Sequence, residues 1–150
     1  MTVSIFVDTT ILLYARDASE PEKQPLAAAW LEALWDRQCG RLSFQVLEEC
    51  YTRLARKTAP AMDRHEARRY VASFLAWRPV PVDGQVIETA WAVEDRFSLP
   101  WADCLIVAAA QVAGSAYILS EALPHWQDFG GVKVASPFRL RAEALLGPAS

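Results

Sequence analysis

No apolar run in this chain approaches the roughly 20 residues that a membrane-spanning helix needs, so no membrane partner is expected. Cysteine is scarce. Cys39, Cys50 and Cys104 are odd in number, and their spacing fits neither a disulfide framework nor a zinc site. Cys50 and Cys104 sit in apolar stretches and read as small core residues, and a cytoplasmic location is the corresponding expectation. Positive charge is not in excess: the formal net charge is −3. That excludes a nucleic-acid binder relying on overall charge, but not an enzyme that meets RNA through a local basic patch and a metal ion. The start lacks a basic leader and a small-residue cleavage site, so it reads as a first strand and not a signal peptide. Glycine-rich phosphate loops, linkers, repeats and low-complexity segments are also missing.

What is present is a globular composition, 53% hydrophobic and 22% charged over 150 residues. Residues 1–150 are expected to form one domain, a length that buries about two-thirds of the unfolded surface. Residues 3–8 form an apolar run ending in an acid, the length of a buried strand. A short helix over 10–16 follows. Residues 21–37 carry Leu26, Trp30 and Leu34 at helical spacing, with Gly40 as the stop. A strand over 41–44 leads into a helix over 45–57. Asp63 caps the next helix, which reaches Trp77, with Glu66 three residues on. Residues 79–82 have strand composition, but Pro79 and Pro81 cannot donate to a ladder, which puts that strand at a sheet edge. Gly84 ends it, and 85–97 reads as a helix. Pro100 suits a helix start, with 101–113 as the body and Gly114 as the stop. Residues 116–120 and 132–135 are the last strands, and 137–146 a closing helix. This alternation predicts an α/β sandwich with a mostly parallel sheet, whose ligands gather outside the carboxyl ends of the strands.

Acids at those ends carry the chemistry. Asp8 closes the first strand and fits equally an N-cap for the following helix and a site residue. Asp103 is the only charge in WADCLIVAAAQVAG and shares a helix face with Ile106, Val107 and Ala110. An ionised carboxylate there costs several kcal/mol unless paired, hydrogen-bonded or bound to a cation. The helix dipole returns only about 0.3–1 kcal/mol. Glu48 and Glu49 flank a stripe of Val46, Leu47, Cys50 and Leu54 on opposite sides, and the wheel does not choose between them. Such acids can converge at one sheet edge, where they would suit magnesium or manganese, which favour hard oxygen ligands, and phosphodiester hydrolysis.

Four segments in order resemble the motifs of PIN domains. FVDTTILLYA (6–15) is similar to the opening motif, and QVLEECY (45–51) to the second. LPWADCLIVAAA (99–110) is similar to the third, and ILSEAL (118–123) with GVKVASPF (131–138) to the closing segment. The nearest subgroup is the VapC-type toxins of toxin–antitoxin pairs. The resemblance implies a three-layer α/β/α sandwich with strand order 3-2-1-4-5 and a Mg²⁺- or Mn²⁺-dependent endoribonuclease. It further implies a homodimer neutralised by a cognate antitoxin. It aligns the catalytic, metal-holding acids with Asp8, Glu49 and Asp103. Thr10 stands where the family usually has asparagine, Ser120 is kept, and Ala122 replaces the usual fourth acid. Glu121 or Asp128 are the acids near enough in sequence to stand in.

Arg53, Arg56, Lys57, Arg64, His65, Arg68 and Arg69 form the one concentrated basic region. Arg53, Arg56, Arg64 and Arg68 are the candidate RNA-phosphate contacts, and a merely solvated helical hairpin is an equal reading. Trp30, Trp35, Trp77 and Trp91 lie at helical positions and are expected in the core. Two other functional readings are a degenerate PIN domain that only binds RNA or protein, and a phosphoaspartyl protein with Asp8 as nucleophile. For the latter, Thr10 stands where a phosphatase wants a second aspartate, and the prolines keep the strand before Asp83 from being central.

Overall fold

The computed structural model describes residues 3–56 and 62–148. A five-stranded sheet is built from β1 (Ile5–Val7), β2 (Gly40–Arg41), β3 (Tyr117–Leu119), β4 (Asp128–Phe129) and β5 (Val132–Ala135). Their spatial order is β2-β1-β3-β5-β4. β1 runs parallel to β2, with Ile5 opposite Gly40, and parallel to β3, with Val7 opposite Leu119. β3 and β5 are also parallel, whereas β4 returns antiparallel on β5. The helices are α1 (Thr9–Tyr14), α2 (Lys23–Arg37), α3 (Phe44–Arg56), α4 (Arg64–Ser73), α5 (Gly84–Phe97), α6 (Trp101–Val112) and α7 (Ala142–Leu146). They flank the sheet, as the α/β reading requires.

The strand expected over 79–82 is reduced to one parallel bridge, Ser43 to Val80. Proline explains why. Val80 lies between two residues without N–H groups; its own N–H donates to Leu42 at 2.9 Å, and its carbonyl accepts from Phe44 at 3.0 Å. Pairing stops there because neither neighbour can extend the ladder. With this bridge in third place the order is 3-2-1-4-5, and β4 adds a hairpin strand that periodicity over two residues could not reveal.

Helix ends differ from expectation in instructive ways. Gln38, not Gly40, takes the left-handed cap of α2 at φ 55°. Gly40 is instead a strand residue under the Trp77 ring, where a Cβ would lie 2.5 Å from a ring carbon. Gly84 is the first residue of α5, because Asp83 caps that helix by accepting from Val86 N at 3.0 Å. The helix opening at Asp63 ends at Ser73, and Phe74–Trp77 continues as a 3-10 turn. The closing helix is confined to α7. Phe44 begins α3 and is not a strand residue, and position 57, the expected end of that helix, lies outside the described residues.

The β1 side chains are fully buried, and so are Leu12, Leu34, Phe74, Ile118 and Phe129. Each such side chain contributes about 1.5–3 kcal/mol. Trp30 and Trp77 join this core, but Trp91 is 54% exposed and Trp35 37% exposed. Trp35 packs in tilted arrangements on Phe74 and Trp77, ring centroids 5.5 and 5.1 Å away, and the rest of it stays open to solvent. No helix among the described residues is long and apolar enough to cross a membrane.

Candidate active site

Three elements bring carboxylates to the carboxyl edge of the sheet. Asp8 follows β1 and keeps its backbone paired, its N–H donating to the Leu119 carbonyl at 3.0 Å. Ser120 therefore lies beside it. Asp8 is 8% exposed. Its Oδ1 accepts from the Thr9 N–H at 2.7 Å and its Oδ2 from the Ser120 hydroxyl at 2.7 Å. It is the N-cap of α1.

α3 carries Glu49 to the same place. Its Oε2 accepts from the Thr9 hydroxyl at 2.8 Å and its Oε1 from Gln45 Nε2 at 3.1 Å. Glu48 is exposed instead, on a shallow depression that Glu49, Thr52 and Arg53 also line. α6 contributes the third acid. A short link joins its end to β3, so α6 runs back along the sheet and its first turn stands at the carboxyl edge. Gln45 Nε2 donates to the Ala102 carbonyl in that turn at 3.2 Å, one residue before Asp103. Ser120, Asp8, Thr9, Glu49, Gln45 and Ala102 thus form one chain of hydrogen bonds linking the elements that bear all three acids.

Burial pushes the Asp8 carboxyl above its ordinary range; hydrogen bonds from Ser120 and Thr9 oppose this, and repulsion from Asp103 and Glu49 adds to it. Asp103 is raised as well, first by burial and then by Glu49. Among the described residues the ion pairs are Arg16–Glu66 and Lys23–Glu121, and neither touches the three acids. A desolvated carboxylate with acidic neighbours and no cation is an expensive arrangement.

The oxygen donors of these residues have the chemistry that a divalent cation such as magnesium favours. Among the described residues no three His, Cys, Asp or Glu side chains stand close enough to form a ready-made cage. Magnesium does not need one: it takes one or two carboxylates and keeps several waters. Two buried polar atoms on the elements that bear Glu49 and follow Asp8, Gln45 Oε1 and Thr10 Oγ1, have no hydrogen-bond partner among the described residues. Unsatisfied groups of this kind ask for water or an ion, and a hydrated cation fits both them and the all-oxygen donor set.

The remaining sequence candidates lie as follows. Glu121 turns away to Lys23 Nζ at 2.6 Å. Burial would raise its carboxyl, but hydrogen bonds from Lys23 and Tyr14 carry it below the ordinary range. Ala122 is exposed, and its N–H donates to Ser120 Oγ at 3.1 Å. Asp128 accepts from Gly131 N at 2.7 Å in the β4–β5 turn. Arg53, Arg56, Arg64 and Arg68 are all exposed on α3 and α4; Lys57 lies outside the described residues. Thr9 and Gln45 escaped the sequence reading. Gln45 stands four residues before Glu49, the spacing at which helical side chains meet, so its signal was available. Thr9, adjacent to Asp8, offers no such spacing.

A PIN-domain family model matches residues 5–121. No curated protein matches the sequence significantly. Among solved structures, FitAcB from Neisseria gonorrhoeae is 19% identical, with a TM-score of 0.67 over 91% of this chain and 99% of that one. VapC20 from Mycobacterium tuberculosis, a toxin that cleaves the sarcin–ricin loop, is 23% identical, with a TM-score of 0.57 over 77% and 87%. DNA-bound VapBC from Salmonella typhimurium is 13% identical, with a TM-score of 0.65 over 90% and 98%. These identities speak to the fold, which is that of VapC and FitB toxins. With most of its length matched by the family model, the chain belongs to the PIN-domain family.

Proposed function

We propose that this chain is a metal-dependent endoribonuclease, the toxin of a toxin–antitoxin pair, with Asp8 and Asp103 holding Mg²⁺ or Mn²⁺ and Glu49 completing the site. The observation that carries the reading is the Asp8 carboxylate, buried, in no ion pair among the described residues, and within electrostatic reach of Asp103 and Glu49. When bound, the metal supplies Lewis acidity toward a phosphoryl oxygen. Glu49 orients the attacking water and takes its proton; the new P–O bond forms as the bond to the leaving ribose oxygen breaks. Thr9 and Gln45 hold the Glu49 carboxylate, and Ser120 holds Asp8. Arg53, which shares the depression with Glu49, and Arg56, Arg64 and Arg68 contact phosphates without reading sequence. A cognate antitoxin, supported by the likeness to FitAcB and VapBC, and a homodimer complete the proposal.

The test is cleavage of structured RNA with Mg²⁺ or Mn²⁺ by the wild type and by Asp8→Asn and Asp103→Asn. Cleavage by the wild type alone, abolished by chelator, is the expected result; equal activity in the variants overturns the site assignment. Two observations favour a second reading: the fourth acid's position is the exposed Ala122, and no ready-made cage exists among the described residues. A wild type that binds RNA, fails to cleave it and takes up no metal would make the chain a degenerate binding module.

A further inference from the structure

We propose that Gln45 is a positioning residue of the acid site, setting Glu49 and the Asp103-bearing turn in register and offering an acceptor to water between them. The inference rests on the metal-dependent reading above and goes beyond its three acids. Gln45 is 9% exposed, on the first turn of α3. Its amide orientation is fixed by chemistry. The two atoms facing one end of the amide, Glu49 Oε1 at 3.1 Å and the Ala102 carbonyl at 3.2 Å, are both acceptors. That end must be the NH₂ group, which spends one hydrogen on each.

Two consequences follow. First, one amide spans two helices. Glu49 belongs to the same helix as Gln45, but Ala102 belongs to α6, so the bond across to it ties the α3 carboxylate to the turn that carries Asp103. Second, the other end of the amide, Oε1, is buried and finds no donor among the described residues. An unmet buried acceptor costs about 1–3 kcal/mol. A fold whose neighbouring polar groups are so fully paired tolerates this where a water completes the set. Thr10 Oγ1, on α1 two residues after Asp8, is another buried polar atom without a partner among the described residues.

The contribution of Gln45 is therefore the spacing of the acids and the ordering of water at them. Residues of this kind, one step behind the ligands, typically alter metal affinity 10- to 100-fold, about that range, when changed. A residue that only supported the fold would lower the melting temperature and the active fraction, leaving the metal dependence of the remaining molecules as it was.

The experiment measures Mn²⁺ binding by electron paramagnetic resonance and, separately, RNA cleavage as a function of Mn²⁺. It uses the full chain as wild type, Gln45→Met and Gln45→Asn, with Asp103→Asn as the reference for a lost ligand. Gln45→Met keeps length and loses both polar ends; Gln45→Asn keeps the amide but is one methylene too short to reach both helices. The expected result is a Mn²⁺ half-saturation raised at least about tenfold in both variants, in binding and in cleavage alike. kcat at fixed metal falls while KM for RNA stays unchanged. Unchanged Mn²⁺ half-saturation in a folded Gln45 variant overturns the inference, and Gln45→Asn decides alone if Gln45→Met does not fold. A wild type that neither binds Mn²⁺ nor cleaves overturns the parent reading instead, and the Asp103→Asn control separates the two failures.

Discussion

The hydroxyl of Thr9 donates to Oε2 of Glu49 at 2.8 Å across the gap between α1 and α3. The amide of the same residue donates to Asp8 at 2.7 Å, so one residue fixes two of the three acids relative to each other. Thr9 is 2% exposed, and its β-branched side chain has few rotamers to lose. Thr9→Val preserves shape and removes only the hydroxyl. Hydrogen bonds to charged groups contribute about 1.5–3 kcal/mol; Glu49 is half-exposed and can recruit water, so the loss in stability should fall near or below the lower figure. RNA cleavage should fall about 10- to 100-fold, because a group that orients a site carboxylate is lost. Thr9→Ser should retain most activity. Chemical denaturation beside cleavage rates checks both; wild-type rates in Thr9→Val would remove Thr9 from the site.

Stability of the metal-free chain should fall as pH rises from the ordinary carboxylate range through the raised values of Asp8 and Asp103. Both carboxyls are raised by burial first, with acidic neighbours adding. Between the unfolded and folded values the native state holds more protons than the unfolded one, so the slope of unfolding free energy with pH is negative. Below that window the carboxyls are protonated in both states and the penalty is absent; above it the penalty is complete. Adding Mg²⁺ should raise the melting temperature, increasingly so as pH climbs through the window, since cation and proton compete for the same oxygens. Asp8→Asn should flatten both dependences. Melting curves at several pH values in chelator and in Mg²⁺ decide; a flat wild-type profile would contradict the repulsive cluster.

The sequence carried the acids at Asp8 and Asp103 because each is polar where its surroundings are apolar, and that contrast survives without coordinates. The edge position of Val80 was legible for a similar reason: proline states what it cannot do. Glu49 could not be separated from Glu48 by periodicity, since both border the same stripe; the PIN resemblance pointed to Glu49, and its contacts with Thr9 and Gln45 set it apart from the exposed Glu48. β4 has two residues and no period to detect. Gly40 has the local look of a helix stop, but the reason for glycine there is the Trp77 ring, 37 residues away in sequence, and no local pattern reports it.

That contact makes a prediction unrelated to the site. Gly40→Ala would put a Cβ 2.5 Å from the Trp77 ring, which must move although it packs edge-on to Phe74 at 4.9 Å. Overpacking of this kind costs about 1–3 kcal/mol. Trp77→Leu in the same chain should recover part of it, the two changes being non-additive because they share one contact. Urea denaturation of the two single variants and the double variant measures the coupling; simple additivity would show that the ring does not meet residue 40.

Ser120 tests how the closing loop serves Asp8. Its hydroxyl donates to Asp8 Oδ2 at 2.7 Å and accepts from the N–H groups of Ala122 and Leu123 at 3.1 and 3.3 Å. Ser120→Ala removes all three bonds at a fully buried position. Leu123 is itself buried, so its N–H is left without a ready partner, and the loss in stability should be about 1–3 kcal/mol. The Asp8 carboxyl should rise further, because the Ser120 bond is the strongest influence holding it down. A proton held more tightly is one that metal must displace, so Mg²⁺ half-saturation should increase, and more steeply at acidic than at alkaline pH. Ala122→Asp, which places an acid where the exposed alanine now stands without disturbing the Ser120 hydroxyl, should act in the opposite sense and strengthen metal binding. Titrating Mn²⁺ into both variants at two pH values distinguishes these outcomes, and equal affinities throughout would disconnect the loop from the acids.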